Sequence, residues 1–308
     1  MFMKRTKKEY AIISLKGMAM GAADIVPGVS GGTIALISGI YEEFVNALKS
    51  FSSVLGVLFK SGIKAAWNHV NGSFLLALFI GIAISLITLV KGIKYALEFH
   101  PILLWSFFFG LIIASCYYVG KQVHKWNFST ILSLLIGTIL IFGITTISPA
   151  ETSTELWFVF LAGMLAICAM ILPGISGAFI LVLLGKYAYV IEALSEFKLD
   201  VILTFGAGCA IGLLSFSHLL SFMLKKYHDI TIALLTGFMI GSLNKIWPWK
   251  KVLEWGLDRH GEKKAILEEN ILPSKFDGDS QFVIAIILAV LSLGLIVLLE
   301  ELAGKKAS

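Results

Sequence analysis

Two short runs carry most of the chemistry open to this chain. One reads Pro27-Gly28-Val29-Ser30-Gly31-Gly32-Thr33, the other Pro173-Gly174-Ile175-Ser176-Gly177-Ala178. Pro-Gly interrupts helical hydrogen bonding in the middle of an apolar stretch. The amide N–H groups that open the next half-helix then have no intrahelical acceptor and carry the positive end of a helix dipole. Glycines let a ligand approach the backbone, and Ser30, Thr33 and Ser176 add hydroxyls. The combination predicts an anion pocket, for which phosphate is well suited. Gly28, Ser30, Gly31, Gly32 and Thr33 would form one wall, and Gly174, Ser176 and Gly177 the other. The plain alternative is that small residues let helices pack closely. A motif present twice favours the pocket.

Other residues are weighed against that pair. Asp24 is the one acid well inside the first broken stretch. A carboxylate there is costly in hydrocarbon, so it lines a cavity, couples to a proton, or caps the Pro-Gly backbone. Direct contact with a phosphate is its weakest role, because the charges repel. Lys186 could neutralise phosphate or extend to the interface. His218, in an apolar run, is expected as a packed, hydrogen-bonded ring ahead of a proton relay. Glu42 and Glu43 read as solvated surface. Trp247, Trp249 and Trp255 read as an interfacial aromatic belt. Cys116, Cys168 and Cys209 lie in apolar stretches and are expected to be inert thiols, and the six histidines form no ligand pair at helical spacing. No Walker loop and no nucleophile–base set is present, so neither a cofactor nor a metal is expected and the chain does not read as an enzyme.

The surrounding elements must hold these residues in a membrane. Of 308 residues, 57% are hydrophobic and 15% charged, with mean hydropathy +0.88. A soluble domain has roughly 25% charge. The composition predicts an all-α polytopic membrane protein and excludes disordered, collagen-like and disulfide-scaffold classes. Nucleic-acid binding is not expected, because the net charge of +5 comes mainly from lysines bunched between apolar runs. Six runs suit spans: 73–90, 101–119, 129–147, 201–223, 230–247 and 281–299. Two further apolar stretches, 10–48 and 157–194, are each broken at the middle by Pro-Gly.

The broken stretches are copies. At a shift of 146, 13 of the 32 positions from 17 to 48 agree, including Gly17, Pro27, Gly28, Ser30, Gly31, Gly39 and Tyr41. At a shift of 127, Gly81 falls on Gly208 and Gly110 on Gly237. The chain therefore reads as two repeats within one membrane domain, 1–150 and 151–308. Each repeat is a re-entrant broken-helix hairpin plus three transmembrane helices, and the second also carries an outer loop at 248–280. With three spans per repeat, the halves come out inverted, a transporter pattern. Both termini are expected in the cytoplasm: Lys4, Arg5, Lys7, Lys8, Lys49, Lys60, Lys64, Lys121, Lys125, Lys225, Lys226, Lys305 and Lys306 fall on that side, while short outer loops hold only Lys91, Lys94 and Lys198. The basic N-terminus resembles a signal peptide but lacks a clean cleavage site, so it is read as retained.

The run Gly21-Ala22-Ala23-Asp24-Ile25-Val26-Pro27-Gly28-Val29-Ser30-Gly31-Gly32-Thr33, with Gly39-Ile40-Tyr41-Glu42, closely resembles the PopT-type polyprenyl-phosphate transporter family, formerly a domain of unknown function. Leu172-Pro173-Gly174-Ile175-Ser176-Gly177 resembles it too. The resemblance implies a bacterial inner-membrane protein that returns undecaprenyl phosphate to the inner leaflet for envelope synthesis. Its partners would be a polyprenyl-phosphate lipid and the bilayer, with homo-oligomerisation left open. Two alternatives stay open: a transporter of a small soluble anion, and a membrane enzyme acting on a lipid phosphate.

Overall fold

Nearly every apolar run expected to be helical is helical in a computed structural model, which describes residues 5–26, 29–149, 152–257 and 263–304. Pro27 and Gly28, Lys4, Ala150 and Glu151, and residues 258–262 and 305–308 lie outside the described residues, so the expectations attached to them are not addressed by the structure. Residues 5–149 contain α1 (Lys7–Ile25), α2 (Gly31–Ile37), α3 (Tyr41–Ser50), α4 (Val54–His69), α5 (Gly72–Thr88), α6 (Val90–Phe99), α7 (Pro101–Gly120) and α8 (Phe128–Thr146). Residues 152–304 contain α9 (Leu156–Ile171), α10 (Gly177–Leu183), α11 (Tyr187–Ser195), α12 (Leu199–Lys226), α13 (His228–Ser242) and α14 (Phe282–Gly304). All six expected spans are helices, α5, α7, α8, α12, α13 and α14. Among the described residues, α7, α8 and α12 are long and apolar enough to cross a membrane by themselves, and bent helix pairs raise that number to five. The chain is a multi-pass α-helical membrane protein. Its outward faces agree, with large apolar side chains such as Ile87, Ile139 and Leu203 turned out of the bundle.

Local chemistry sets the helix ends. Thr6 and Glu9 form a reciprocal capping box at the start of α1, and Asn127 and Thr130 form another at α8. Pro101 opens α7, where its missing N–H costs nothing. Gly39 and Gly185, equivalent in the repeat, both take a left-handed φ (+70° and +61°) and turn the chain from α2 into α3 and from α10 into α11. The second turn bends its helices by 107°.

Helix pairing follows the internal shifts. α1 packs on α5 and α9 on α12; α7 packs on α14 and α8 on α13. The contacts are backbone-close because glycines make them. Gly17 abuts the Leu78 carbonyl and Gly81 that of Ser14; Gly163 abuts Phe205 and Gly208 abuts Phe160. Across the halves, Gly110 abuts Ala289 and Gly237 abuts Leu134. A Cβ at any of these six positions would collide with backbone.

Three features depart from the sequence reading. The 248–280 segment is not plain loop: β1 (Lys250–Leu257) pairs antiparallel with β2 (Lys263–Asn270). Trp249, expected in an interfacial belt, is buried with Ile102 and Ala285, and its Nε1 donates to the Ser280 carbonyl at 2.8 Å. Glu43, expected as solvated, accepts both Arg5 guanidinium nitrogens at 2.7 Å and the Asn71 amide at 2.6 Å. Its pairing also raises the Arg5 pKa.

Candidate anion site at the two helix breaks

The two breaks meet. Ser30 is the N-cap of α2; its hydroxyl accepts from the Gly32 amide at 3.1 Å and donates to the Leu172 carbonyl at 3.0 Å. Thr33 accepts from the Gly174 amide at 3.0 Å, and the Tyr41 hydroxyl donates to the Ile171 carbonyl at 3.2 Å. Gly32 lies against the Ile171 carbonyl, with no room for a Cβ. Gly174 has φ +84° and its Cα faces the Phe238 carbonyl of α13, 2.7 Å from where a Cβ would stand. Ser30, Thr33 and Ser176 are all buried. Irregular backbone at membrane depth is tolerated where protein satisfies it, and here each break supplies partners to the other.

The first break differs from expectation in one respect. Its amides are not bare. Asp24 Oδ1 accepts the Gly31 amide at 2.7 Å, and Gly32 is taken by Ser30. Of the roles weighed for Asp24, the cap to the backbone is the one the geometry displays. At the other end of α2, Lys16 Nζ donates to the Ser38 carbonyl at 2.5 Å. Thus α1 holds α2 by a carboxylate at its positive end and an ammonium at its negative end. Lys16 escaped the sequence reading, although a lysine eight residues before Asp24 in an apolar helix was a visible signal. The helical rise places the two roughly 12 Å apart, near the roughly 10 Å length of seven-residue α2.

The second break lacks both clamps, because Met170 and Ala162 occupy the equivalent positions. Ser176 caps nothing. Among the described residues its hydroxyl has no hydrogen-bond partner, and the amides of Gly177 and Ala178 donate to no acceptor. Gly177 packs against the Ala166 carbonyl.

The remaining expected site residues lie elsewhere. Lys186 is buried, but its Nζ donates to the Thr152 carbonyl at 2.9 Å and sits over the Phe158 and Tyr189 rings. His218 is hydrogen-bonded through both nitrogens, Nδ1 to the Leu214 carbonyl at 2.8 Å and Nε2 to Ser52 at 3.2 Å. A cluster that spacing along the chain could not reveal joins His124, His228 and Asp229, whose ligand atoms lie within 4.8 Å of one another. It could hold a metal ion by geometry. As it stands, Asp229 accepts from His124 at 2.8 Å and the Lys125 amide at 3.0 Å.

Residues 20–264 match the VCA0040-like, undecaprenyl phosphate translocase-like family. The chain belongs to that family. It is 46% identical over 301 residues to a polyprenyl-phosphate transporter of Vibrio cholerae serotype O1, covering 96% of this chain and 98% of the relative. It is 35% identical over 252 residues to a polyprenyl-phosphate transporter of Staphylococcus aureus, covering 76% and 85%. Both relatives are named as transporters, and the chain is a transporter rather than an enzyme. No solved structure matches it.

Proposed function

We propose that this protein moves polyprenyl phosphate across the bacterial cytoplasmic membrane, returning undecaprenyl phosphate to the inner leaflet for reuse. The names of its relatives support the cargo class. The observation that carries the site is the juxtaposed pair of breaks, one closed by the chain's own carboxylate and the other open. Asp24 occupies the place where an anion would neutralise α2. At the second copy that place has no acid, and the Ser176 hydroxyl with the Gly177 and Ala178 amides forms the phosphate seat. Ser30, Gly31, Gly32, Thr33 and Gly174 hold the seat's back wall, and Lys186 anchors the outer end of the second hairpin. A seat of this kind lowers the cost of carrying a charged headgroup through hydrocarbon, while the isoprenoid tail stays in lipid.

An inverted arrangement of the repeats is supported by side-to-side bookkeeping. Arg5, Glu43 and Asn71 tie the starts of α1, α3 and α5 to one face. The end of α12 reaches that same face, where Ser221 donates to Asn46 at 2.8 Å. Since α9 and α12 run side by side in one direction, both begin on the opposite face. The lysines on the first face support its placement in the cytoplasm. Rocking of such halves exposes the seat to each leaflet in turn. Asp24 is the carboxylate we assign to proton coupling: taking up a proton weakens its hold on the Gly31 amide and loosens α2.

The test is reconstitution in vesicles with undecaprenyl phosphate, following its leaflet exposure with and without a pH gradient. Transport that Ser176→Ala slows supports the seat. Phosphate release by the purified protein, or transport of free phosphate with no lipid movement, overturns the reading.

A further inference from the structure

A cavity of about 440 Å³ lies between the turn that joins α3 to α4 and the last third of α12, and shares no residue with the breaks. Four of its lining side chains are basic: Lys49, Lys225, His69 and His218. Ser52 and Ser53 contribute hydroxyls, within 3.2 Å of His218 Nε2 and 2.8 Å of His69 Nε2 respectively. No carboxylate lines it. The acids on adjoining elements are directed elsewhere, Glu43 to Arg5 and Asn71, and Glu42 towards His228. Among the described residues, Lys49 reaches only the Ser221 hydroxyl, at 3.4 Å. Lys225 is exposed and makes no ion pair among the described residues. Two ammonium groups thus converge with hydroxyls and imidazoles on a space with no counter-charge, the donor set of a phosphate site.

The rim adds a second feature. α4 starts directly after Ser53. Leu55 and Phe59, 64% and 85% exposed, stand one turn apart before a non-helical break at Gly62 (φ +81°), and Ile63, 80% exposed, follows it. Lys60 and Lys64 accompany these side chains. Exposed apolar residues among lysines suit the headgroup layer. A headgroup in the cavity would have its tail beside an apolar track.

We infer that this cavity is a second phosphate site, taking a phosphate monoester at the cytoplasmic face, apart from the seat at the breaks. The side of the membrane and the role in cargo release rest on the function proposed above. With α3 on one wall and α12 on the other, the cavity is a docking station at the side where cargo is released.

The experiment is calorimetric titration of the full-length protein in detergent with farnesyl phosphate, and separately with inorganic phosphate. The expected result is two equivalents of farnesyl phosphate bound. Lys49→Gln with Lys225→Gln removes or weakens one by at least tenfold, and Ser176→Ala affects only the other. Lys225→Glu, at an exposed side chain with no partner to lose, gives the same loss in a variant that keeps its melting temperature. Farnesyl phosphate binding at least tenfold tighter than inorganic phosphate assigns the site to a lipid headgroup; equal binding assigns it to free phosphate, and both support the site. Binding that is absent, or indifferent to the lysine variants, overturns it. One equivalent lost in the lysine variants and untouched by Ser176→Ala keeps this site and removes the seat at the breaks.

Discussion

Asp24 and Met170 hold the same place in the two copies, and that difference decides which break the chain closes for itself. Ser30 and Ser176 diverge with them: one hydroxyl makes hydrogen bonds on two sides and the other makes none among the described residues. Their alanine variants should separate. Ser30→Ala loses an N-cap and a tie to Leu172, costing about 1–2 kcal/mol and lowering the melting temperature. Ser176→Ala should leave stability within about 0.5 kcal/mol of the parent while slowing lipid movement in vesicles about tenfold, the loss of roughly one hydrogen bond. Thr33→Val keeps the shape but strands the Gly174 amide, which should cost about 1–3 kcal/mol in a thermal melt. For Asp24, Asn retains an oxygen for Gly31 but cannot exchange a proton. Asp24→Asn should therefore keep the fold while making transport rates identical with and without a pH gradient. At this scale the sequence was a good guide to which residues gather, since Pro27, Gly28, Ser30 and Gly31 recur at Pro173, Gly174, Ser176 and Gly177. It was silent on who bonds to whom, because the Thr33–Gly174 and Ser30–Leu172 pairs join positions far apart in the chain.

The helices were legible for the same reason that they are stable: apolar runs of nearly span length bounded by Asn, Pro or charge. Their partners were marked by glycines, and Gly81 and Gly208 or Gly110 and Gly237 fell in register before any contact was known. Gly208→Ala would press a methyl into the Phe160 carbonyl and should destabilise by about 1–3 kcal/mol, measured by thermal unfolding in detergent. The β-hairpin and α4 were not legible. Both mix charged and apolar residues outside the long runs, and neither holds a Pro-Gly motif or an apolar run of span length. The hairpin carries a pH dependence. Lys250, packed over the Trp105 ring and donating to the Lys245 carbonyl at 2.8 Å, has its pKa pushed down to about 8, chiefly by burial and against the opposing pull of Glu268. A lysine depressed in the fold binds its proton more weakly there than in the unfolded chain. Its contribution to stability is present above the ordinary lysine pKa and is lost as pH falls through 8. The melting temperature should rise between pH 7.5 and 10 by more in the parent than in Lys250→Met, once the shared trend is subtracted.

On the scale of the whole molecule, the four main helix pairs match between the halves, and the largest departure lies at α3. α3 lies against α12, whereas its counterpart α11 makes no comparable packing with α5 among the described residues. The halves are therefore latched at the end carrying Lys49 and Ser221 and unlatched at the other. A Cys pair placed at Asn46 and Ser221, oxidised in membranes, should hold that latch shut and stop lipid movement, with recovery on reduction. Full transport by the oxidised protein would show that α3 and α12 need not part.

The interlocking of the halves, α7 with α14 and α8 with α13, bears on how the chain is made. The partners of α7 and α8 both lie in the later half of the sequence, so the N-terminal half waits in the bilayer with two glycine-lined grooves unfilled until those helices are made. Expressed alone, either half should be cleared by membrane proteases. Co-expressed as separate polypeptides, the two should find each other and purify together.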